Sequence, residues 1–443
     1  MSNQTSRRDF LRSAVYSGVT IIVAREAWAG QLKSPNERLN IACIGVGGKG
    51  DSDSNDAARF GNIVAVCDVD DNILANALKK WPNAKPYKDY RKMFDEMGSQ
   101  IDLVTVSTPD HHHALATSIA LHLGKAVYCQ KPLTHSIYEA RYLGTLARTN
   151  KCATQMGNQG TAGDTLRANA YNVRAGVLGT PKEVHVWTNR PIWPQGGKRN
   201  SEKPVPSNLD WAHWIGPAPM RPYADGYHTF SWRGWWDFGT GALGDMACHT
   251  VNMPYMALGL RFPTSVEAWT SENNKDSYPK SSKIRFEFPA TAKRPAITMW
   301  WYDGGVLPDK QLFTGGKFED MVQDGKISDS GSLIVGSKGR LYTPGDYGDG
   351  GKFIDIDKAP DVVYPKSIGH WEELIQAVKD PTKPAMSNFP DYSGPLTETI
   401  LLGNLAVWAG KKVEWDAKNL VAKNCPEVAP IIKPVYKNGY KLG

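Results

Sequence analysis

The sequence predicts an α/β protein in two parts: an N-terminal doubly wound parallel sheet, then a C-terminal α/β domain with a large open, mostly antiparallel sheet. Three observations predict this. Over residues 36–156, short apolar strand-like runs alternate with helical segments, the rhythm of a parallel sheet covered on both faces. The first run ends in a glycine-rich turn. From about Gly157, longer strand-like segments follow one another with few helices between them. At 443 residues the chain is too long for one ordinary domain. With 41% hydrophobic and 22% charged residues it is neither disordered nor a long coiled coil. No apolar run approaches the ~20 residues of a spanning helix. Six Cys are too few for a disulfide framework. The net charge of +7 falls to +5 once the net +2 of residues 1–29 is set aside, and the remaining charges are mixed, so nucleic acid is not an expected partner.

Residues 1–29 read as an address. Arg7-Arg8 precede a mild apolar stretch from Ala14 to Ala24, and Ala27-Trp28-Ala29 offers small residues where a signal peptidase reads. The pattern resembles a twin-arginine export signal cleaved after Ala29, which implies a periplasmic protein exported after folding.

Residues 36–156 read as the dinucleotide half. Leu39–Ile44 is a strand, and Gly45-Val46-Gly47-Gly48-Lys49-Gly50 fits G-x-G-x-x-G. The glycines permit a tight turn, backbone approach to a pyrophosphate, and close helix–strand packing, with N–H groups at the helix start facing the phosphates. A second strand, Ile63–Cys67, ends in Asp68, 18 residues after Gly50. A carboxylate there accepts from ribose hydroxyls and repels a 2′-phosphate, so the expected cofactor is NAD. Strands Ile101–Val106 and Ala126–Cys129 lead to Thr108-Pro109 and Gln130-Lys131, at the ends where such sheets bind ligands. Between them a helix is expected from His113 to Leu123. His111-His112-His113 reads as a helix start beside the cofactor and not as a metal centre, since adjacent side chains do not converge on one ion. No metal is expected. His113 and Asn158 complete the expected cofactor contacts. Cys43, Cys67 and Cys129 lie in strands and read as small buried hydrophobes.

Gly45–Gly50, Thr108-Pro109-Asp110-His111-His112-His113, Gln130-Lys131-Pro132, Trp232–Gly241 and Asp245-Met246-Ala247-Cys248-His249 together resemble the Gfo/Idh/MocA family of sugar and cyclitol oxidoreductases, over roughly residues 36–420. The resemblance implies a Rossmann domain and a substrate sheet domain. It places catalysis on Lys131, Asp245 and His249. Family members commonly carry Glu where this chain has Gln130. The residues by themselves agree with the resemblance. Asp245 and His249 are four apart and share one helix face. An unperturbed imidazole titrates near pH ~6.5, which suits a general base for a carbinol proton. Lys131 would hold the same oxygen, and Asp245 would orient the imidazole or grip a neighbouring hydroxyl. The resemblance also implies a homo-oligomer formed through the outer face of the second sheet.

Residues 157–365 read as the substrate domain, with strands at Glu183–Trp187, Ser265–Thr270, Lys283–Phe288 and Ala296–Tyr302. Gly315-Gly316 offers a further turn. Seven of the 15 Trp fall between Trp187 and Trp236. With Arg190, Arg233 and Asp237 they suggest a sugar platform, and Arg233, Trp235 and Trp236 are expected to touch substrate beside Asp245 and His249. Residues 366–443 read as late helices, Ser367–Asp380 and Leu396–Lys411, and a tail. The resemblance packs them back on the first domain.

Three functions fit this reading. The first is an exported oxidoreductase with tightly bound NAD that takes hydride from a sugar or glycoside ring hydroxyl, with C3 the choice, giving a keto-sugar. Its NAD would be regenerated in place by a second sugar or a partner acceptor. The second is an NAD-dependent glycosidase working by transient oxidation, elimination, water addition and re-reduction, although the chain has no His-Tyr-Pro-Thr-His run. The third is a non-catalytic sugar-binding protein, against which Lys131, Asp245 and His249 speak.

Overall fold

The computed structural model describes residues 38–314 and 327–442. The export signal and Gly315-Gly316 lie outside the described residues. Strands β1 (Leu39–Ile44), β2 (Gly61–Cys67), β3 (Lys85–Tyr87), β4 (Leu103–Val106), β5 (Ala126–Cys129) and β6 (Thr154–Met156) form one parallel sheet in the order β3-β2-β1-β4-β5-β6. Their Val, Ile, Ala and Cys residues are buried almost without interruption, as in a sheet covered on both faces. The order reverses between β1 and β4, which pair through Ile41 and Leu103, and a crevice opens beyond their carboxyl ends.

Helices α1 (Lys49–Ala58) and α2 (Asp71–Lys80) cover one face of the sheet. Helices α3 (Tyr90–Met97), α4 (Asp110–His122) and α5 (Ile137–Thr149) cover the other. Asp70 caps α2 by accepting from the backbone of Asn72 and Ile73, a contact worth about 1 kcal/mol. A Ser136–Glu139 capping box starts α5. Helix α4 begins at Asp110, earlier than expected, because Pro109 stands at its N-cap and fixes the entry of the chain. All three histidines therefore lie in its first turn.

The second sheet has nine strands. They are β7 (Pro181–Trp187), β8 (Ser265–Thr270), β9 (Ser282–Phe288), β10 (Ile297–Asp303), β11 (Gly331–Gly336), β12 (Arg340–Pro344), β13 (Lys352–Ile354), β14 (Val413–Asp416) and β15 (Val421–Ala422). They run in the order β13-β12-β11-β7-β10-β9-β8-β14-β15, antiparallel except for β7 beside β10. In β9 buried and half-buried residues alternate, so one face meets the core. The remaining helices are α6 (Asp164–Arg174), α7 (Trp211–Ile215), α8 (Gly241–Thr250), α9 (Asn252–Leu258), α10 (His370–Lys379), α11 (Gly394–Ala409) and α12 (Ala429–Ile432).

The segment 366–443 serves both parts. In α10, Trp371 stacks on Tyr128 with ring centroids 4.1 Å apart, and Leu374 and Val378 join the core beneath β1. The same segment supplies β14, which pairs with β8 through Val413 and Val266 and extends the second sheet. Helix α11 is buried along nearly its whole length, against α5, α8 and β8.

Candidate active site

The crevice is a cleft of about 690 Å³ whose walls come from both domains. On the first-domain side, Gly45 has φ +75°, and its N–H bonds the Cys67 carbonyl at 2.8 Å. A Cβ there would stand 2.6 Å from the Ser107 carbonyl oxygen, and one on Gly50 would stand 2.0 Å from that of Gly45. Gly48 (φ +54°) faces open space, so its backbone alone requires glycine. Gly45, Gly47, Gly48 and Lys49 line the cleft, whereas Gly50 packs helix to strand behind them. Asp68 accepts from the Val46 N–H at 3.0 Å and the Asp70 N–H at 3.1 Å, which fixes the carboxylate, and burial raises its pKa.

Asp53, which the sequence reading missed, sits fully buried on α1. It accepts from Lys49 Nζ at 2.5 Å, Ser107 Oγ at 2.8 Å and Gln130 Nε2 at 2.9 Å. Gln130 Oε1 in turn accepts from the Lys131 N–H at 3.2 Å. A glutamate at position 130 would press a second carboxylate against Asp53. Here, then, is a physical reason for the departure from the family's usual Glu. The clue in the sequence was Asp53 four residues after Lys49, which reads as an ordinary surface helix pair.

His113 does not line the cleft. It bonds the carbonyls of Pro132 at 2.7 Å and Thr108 at 2.8 Å and so braces the loops after β4 and β5. His111 and His112 both meet the Trp214 carbonyl at 3.0 Å. Asn158 is buried behind the cleft wall, where it accepts from Ser387 Oγ. Thr108, Pro109 and Gln130 line the cleft, and Thr108 Oγ1 is a buried polar atom with no partner among the described residues. The glycine turn, the fixed carboxylate and this unpartnered hydroxyl fit a bound dinucleotide.

Lys131, Asp245 and His249 come together as expected, but with different partners. Lys131 Nζ bonds Asp245 Oδ1 at 2.9 Å and the Asp245 carbonyl at 2.8 Å. Arg233 Nε reaches the same Oδ1 at 3.2 Å. Burial alone would raise the Asp245 pKa, but Lys131 and Arg233 outweigh it and hold the carboxyl at about 2. Asp245 therefore does not orient the imidazole through a hydrogen bond. His249 is 4% exposed, its Nδ1 has no partner among the described residues, and Tyr347 packs edge-on 4.9 Å away. The expectation of an ordinary titration near 6.5 also fails: burial first, then the charge of Lys131, push the His249 pKa down to about 3.

Two expected substrate residues are absent from the cleft. Trp235 is buried in a separate aromatic core with Trp211, Trp214 and Tyr227 and donates to the Gly226 carbonyl at 2.9 Å. Trp236 is buried against Tyr278, with ring centroids 3.8 Å apart. Only Arg233 of that group lines the cleft, together with Arg190, Trp193, Phe230, Trp232 and Tyr347. The sequence showed the density of Trp but not which rings the loop spends on its own packing. Asp110 was also missed: burial raises its pKa to about 6, and it accepts from Thr240 Oγ1 at 2.6 Å, tying the cofactor side to the start of α8.

Comparison with known proteins agrees with this geometry. Residues 39–158 match the oxidoreductase family, NAD-binding Rossmann fold, and residues 164–294 match the oxidoreductase family, C-terminal alpha/beta domain. The two matches define the class: a chain of an oxidoreductase family, with an NAD-binding Rossmann domain. More narrowly, the chain belongs to the Gfo/Idh/MocA family. A glycosyl hydrolase family 109 protein of Solibacter usitatus is 30% identical over 176 residues, 35% of this chain and 40% of that protein. The chain spans between 25% and 40% of the length of the curated relatives it matches. Among solved structures, the WlbA dehydrogenase of Bordetella pertussis in complex with NADH and UDP-GlcNAcA has TM-score 0.60 and 14% identity, covering 86% of this chain and 99% of that one. The aldose-aldose oxidoreductase of Caulobacter crescentus, complexed with glycerol, has TM-score 0.56 and 15% identity, covering 86% and 100%. At these identities the likeness speaks for the fold.

Proposed function

We propose that this protein is an exported oxidoreductase that takes hydride from a ring hydroxyl of a sugar or glycoside, C3 by preference, and yields a keto-sugar with the reduced cofactor retained. The observation that carries the reading is the meeting of Lys131, Asp245 and a neutral His249 in the cleft that holds the glycine turn. Bound NAD would supply the hydride acceptor. A carbinol carbon releases hydride only as its hydroxyl proton leaves. Lys131 would hold that oxygen and stabilise the charge growing on it, while Asp245 keeps the ammonium in place. His249, uncharged, would accept the proton. A base whose pKa lies so low takes a proton readily only from an oxygen already acidified, so its action depends on Lys131. Arg233 and the aromatic wall would seat the ring. The test is to purify the exported form, denature it and assay released NAD, then screen glycosides on the intact protein at the reduced-nicotinamide absorbance band. NAD found and the band rising with a glycoside support the reading. A protein that neither carries nor takes up NAD overturns it.

Similarity to a family 109 glycosyl hydrolase favours a second reading, transient oxidation followed by elimination, water addition and return of the hydride. Aglycone released with no external electron acceptor selects this reading. Net consumption of an acceptor selects the first. Periplasmic location, export by the twin-arginine route and a homo-oligomeric state belong to the proposal, and fractionation of cells together with sedimentation of the purified protein tests them.

A further inference from the structure

The chemistry above uses only part of the tryptophan-rich segment between β7 and α8. The stretch from Asn208 to His228 crosses to the first domain and meets it just after Asp68. The Asp71 N–H bonds the Asn208 carbonyl at 2.8 Å, the Asp210 N–H bonds the Val69 carbonyl at 2.9 Å, and Asp70 and Leu209 form an antiparallel bridge. His228 Nε2 stands 3.2 Å from Asp70 Oδ2. Val69 packs against the aromatic core that holds Trp211, Trp214 and Trp235. Those rings therefore fix a second-domain loop against the chain that leaves β2. The C-terminal tail is fastened to the same loop. Asn438 Nδ2 donates to the Gly216 carbonyl at 2.8 Å and the Ala218 carbonyl at 3.0 Å, and the Lys437 N–H bonds the Pro217 carbonyl at 2.9 Å. Two residues on, Tyr440 is 8% exposed. The Arg91 guanidinium lies 4.0 Å from its ring centroid, and Tyr90 and His112 meet the ring edge-on at 6.3 and 5.9 Å.

Tyr440 lines the cleft, and so do His213, Trp214 and His228 of the loop. From the first domain, Lys88-Asp89-Tyr90, which follow β3, line the same end. The order of the strands says what this end receives. Lys131 follows β5 and Asp68 follows β2, with β1 and β4 between them, and β3 is the next strand beyond β2. A dinucleotide whose nicotinamide reaches Lys131 and whose adenosine ribose reaches Asp68 therefore ends, with its adenine, beside the chain after β3. The rings of Tyr90, His112 and Tyr440 suit a flat aromatic base. The first domain supplies only part of this enclosure. His213, Trp214 and His228 come from the second domain, and Tyr440 comes from the tail.

We propose that the loop 208–228 and the C-terminal tail, acting through His228 and Tyr440, form a clasp over the adenosine half of NAD, so that the cofactor leaves only when both part from the first domain. The inference rests on the retention of cofactor proposed above and deepens it by naming the device. In the test, NAD-loaded protein is freed of unbound cofactor on a desalting column. NAD released with time is trapped by excess alcohol dehydrogenase with ethanol and read by absorbance. Tyr440→Ala and His228→Ala are each expected to release NAD roughly tenfold faster than the native protein. Tyr440→Phe, which keeps the ring, and His228→Gln, which keeps an N–H for Asp70, are expected to stay near the native rate. Amide hydrogen exchange on the native protein gives a measurement free of folding defects: NAD is expected to slow exchange in the loop 208–218 and in the tail 437–441. Release unchanged in both alanine variants, or exchange there unaffected by NAD, overturns the clasp. Oxidation of sugars with unchanged release defeats the clasp and spares the redox reading. Faster release in the variants with no oxidation of any sugar does the reverse. A protein that takes up no NAD overturns both.

Discussion

The two walls of the cleft are built differently. On the cofactor side every contributing loop leaves the carboxyl end of a parallel strand: Gly45–Lys49 after β1, Asp68 after β2, Thr108-Pro109 after β4 and Gln130-Lys131 after β5. The sheet register alone brings these loops together. On the substrate side the wall is assembled from Arg190–Trp193, Phe230–Arg233, Asp245–His249 and Tyr347; the second sheet brings the ends of β7 and β12, and so Arg190 and Tyr347, to one side, and tertiary packing adds the other segments. A regular sheet makes its site predictable from short spacings. An irregular wall does not, and its aromatic residues divide between packing and binding.

The sharpest way to break this comparison is at the point where the walls touch. His249→Ala is expected to lower kcat by ~10²–10⁴-fold while leaving NAD bound, measured by turnover and by NAD released on denaturation. Unchanged turnover rejects the assigned base. On the cofactor side, Gln130→Glu is expected to weaken NAD binding by roughly tenfold, because Asp53 then faces a second carboxylate. Asp53→Ala is expected to cost about 2 kcal/mol in urea unfolding, since Gln130 and Ser107 lose their acceptor. Equal NAD affinity in Gln130→Glu and the native protein contradicts the account of this pair. Replacing Asp68 with Ser should narrow the preference for NAD over NADP by about tenfold in titrations of the two cofactors.

The pH profile distinguishes the walls more finely. His249 loses its neutral, proton-accepting form only as pH falls through about 3, so kcat/KM measured from pH 5 to 8 should show no limb at 6.5 from this residue. A limb at 6.5 that disappears in His249→Ala refutes the depressed value. The smallest effect is expected from Trp235→Phe, which removes the bond to the Gly226 carbonyl: about 1 kcal/mol of stability and less than about a twofold change in KM. Trp193, on the cleft wall, should change KM several-fold when replaced by Ala.

Much of the first wall was legible in the sequence because its signals are local. The glycine turn, Asp68 and Lys131 need no knowledge of distant chain, and the helical spacing of Asp245 and His249 placed them on one face. What the sequence did not disclose depends on long-range contact. Asp245 finds Lys131, 114 residues away, and thereby loses any role as a hydrogen-bonded partner of the imidazole. Burial by both domains, invisible in composition, displaces the His249 titration. Trp236 stacks on Tyr278, a ring 42 residues later, and so never reaches the cleft.

Helix α11 has a consequence for motion. It is buried on all sides, wedged between α5 of the first domain and α8 and β8 of the second. Hinging one domain against the other would have to pull it from one of its two beds and expose part of its buried Leu and Ile surface to water, at roughly 1.5–3 kcal/mol for each side chain uncovered. Opening between the domains is thereby opposed, which favours the loops at the rim as the route for substrate and product.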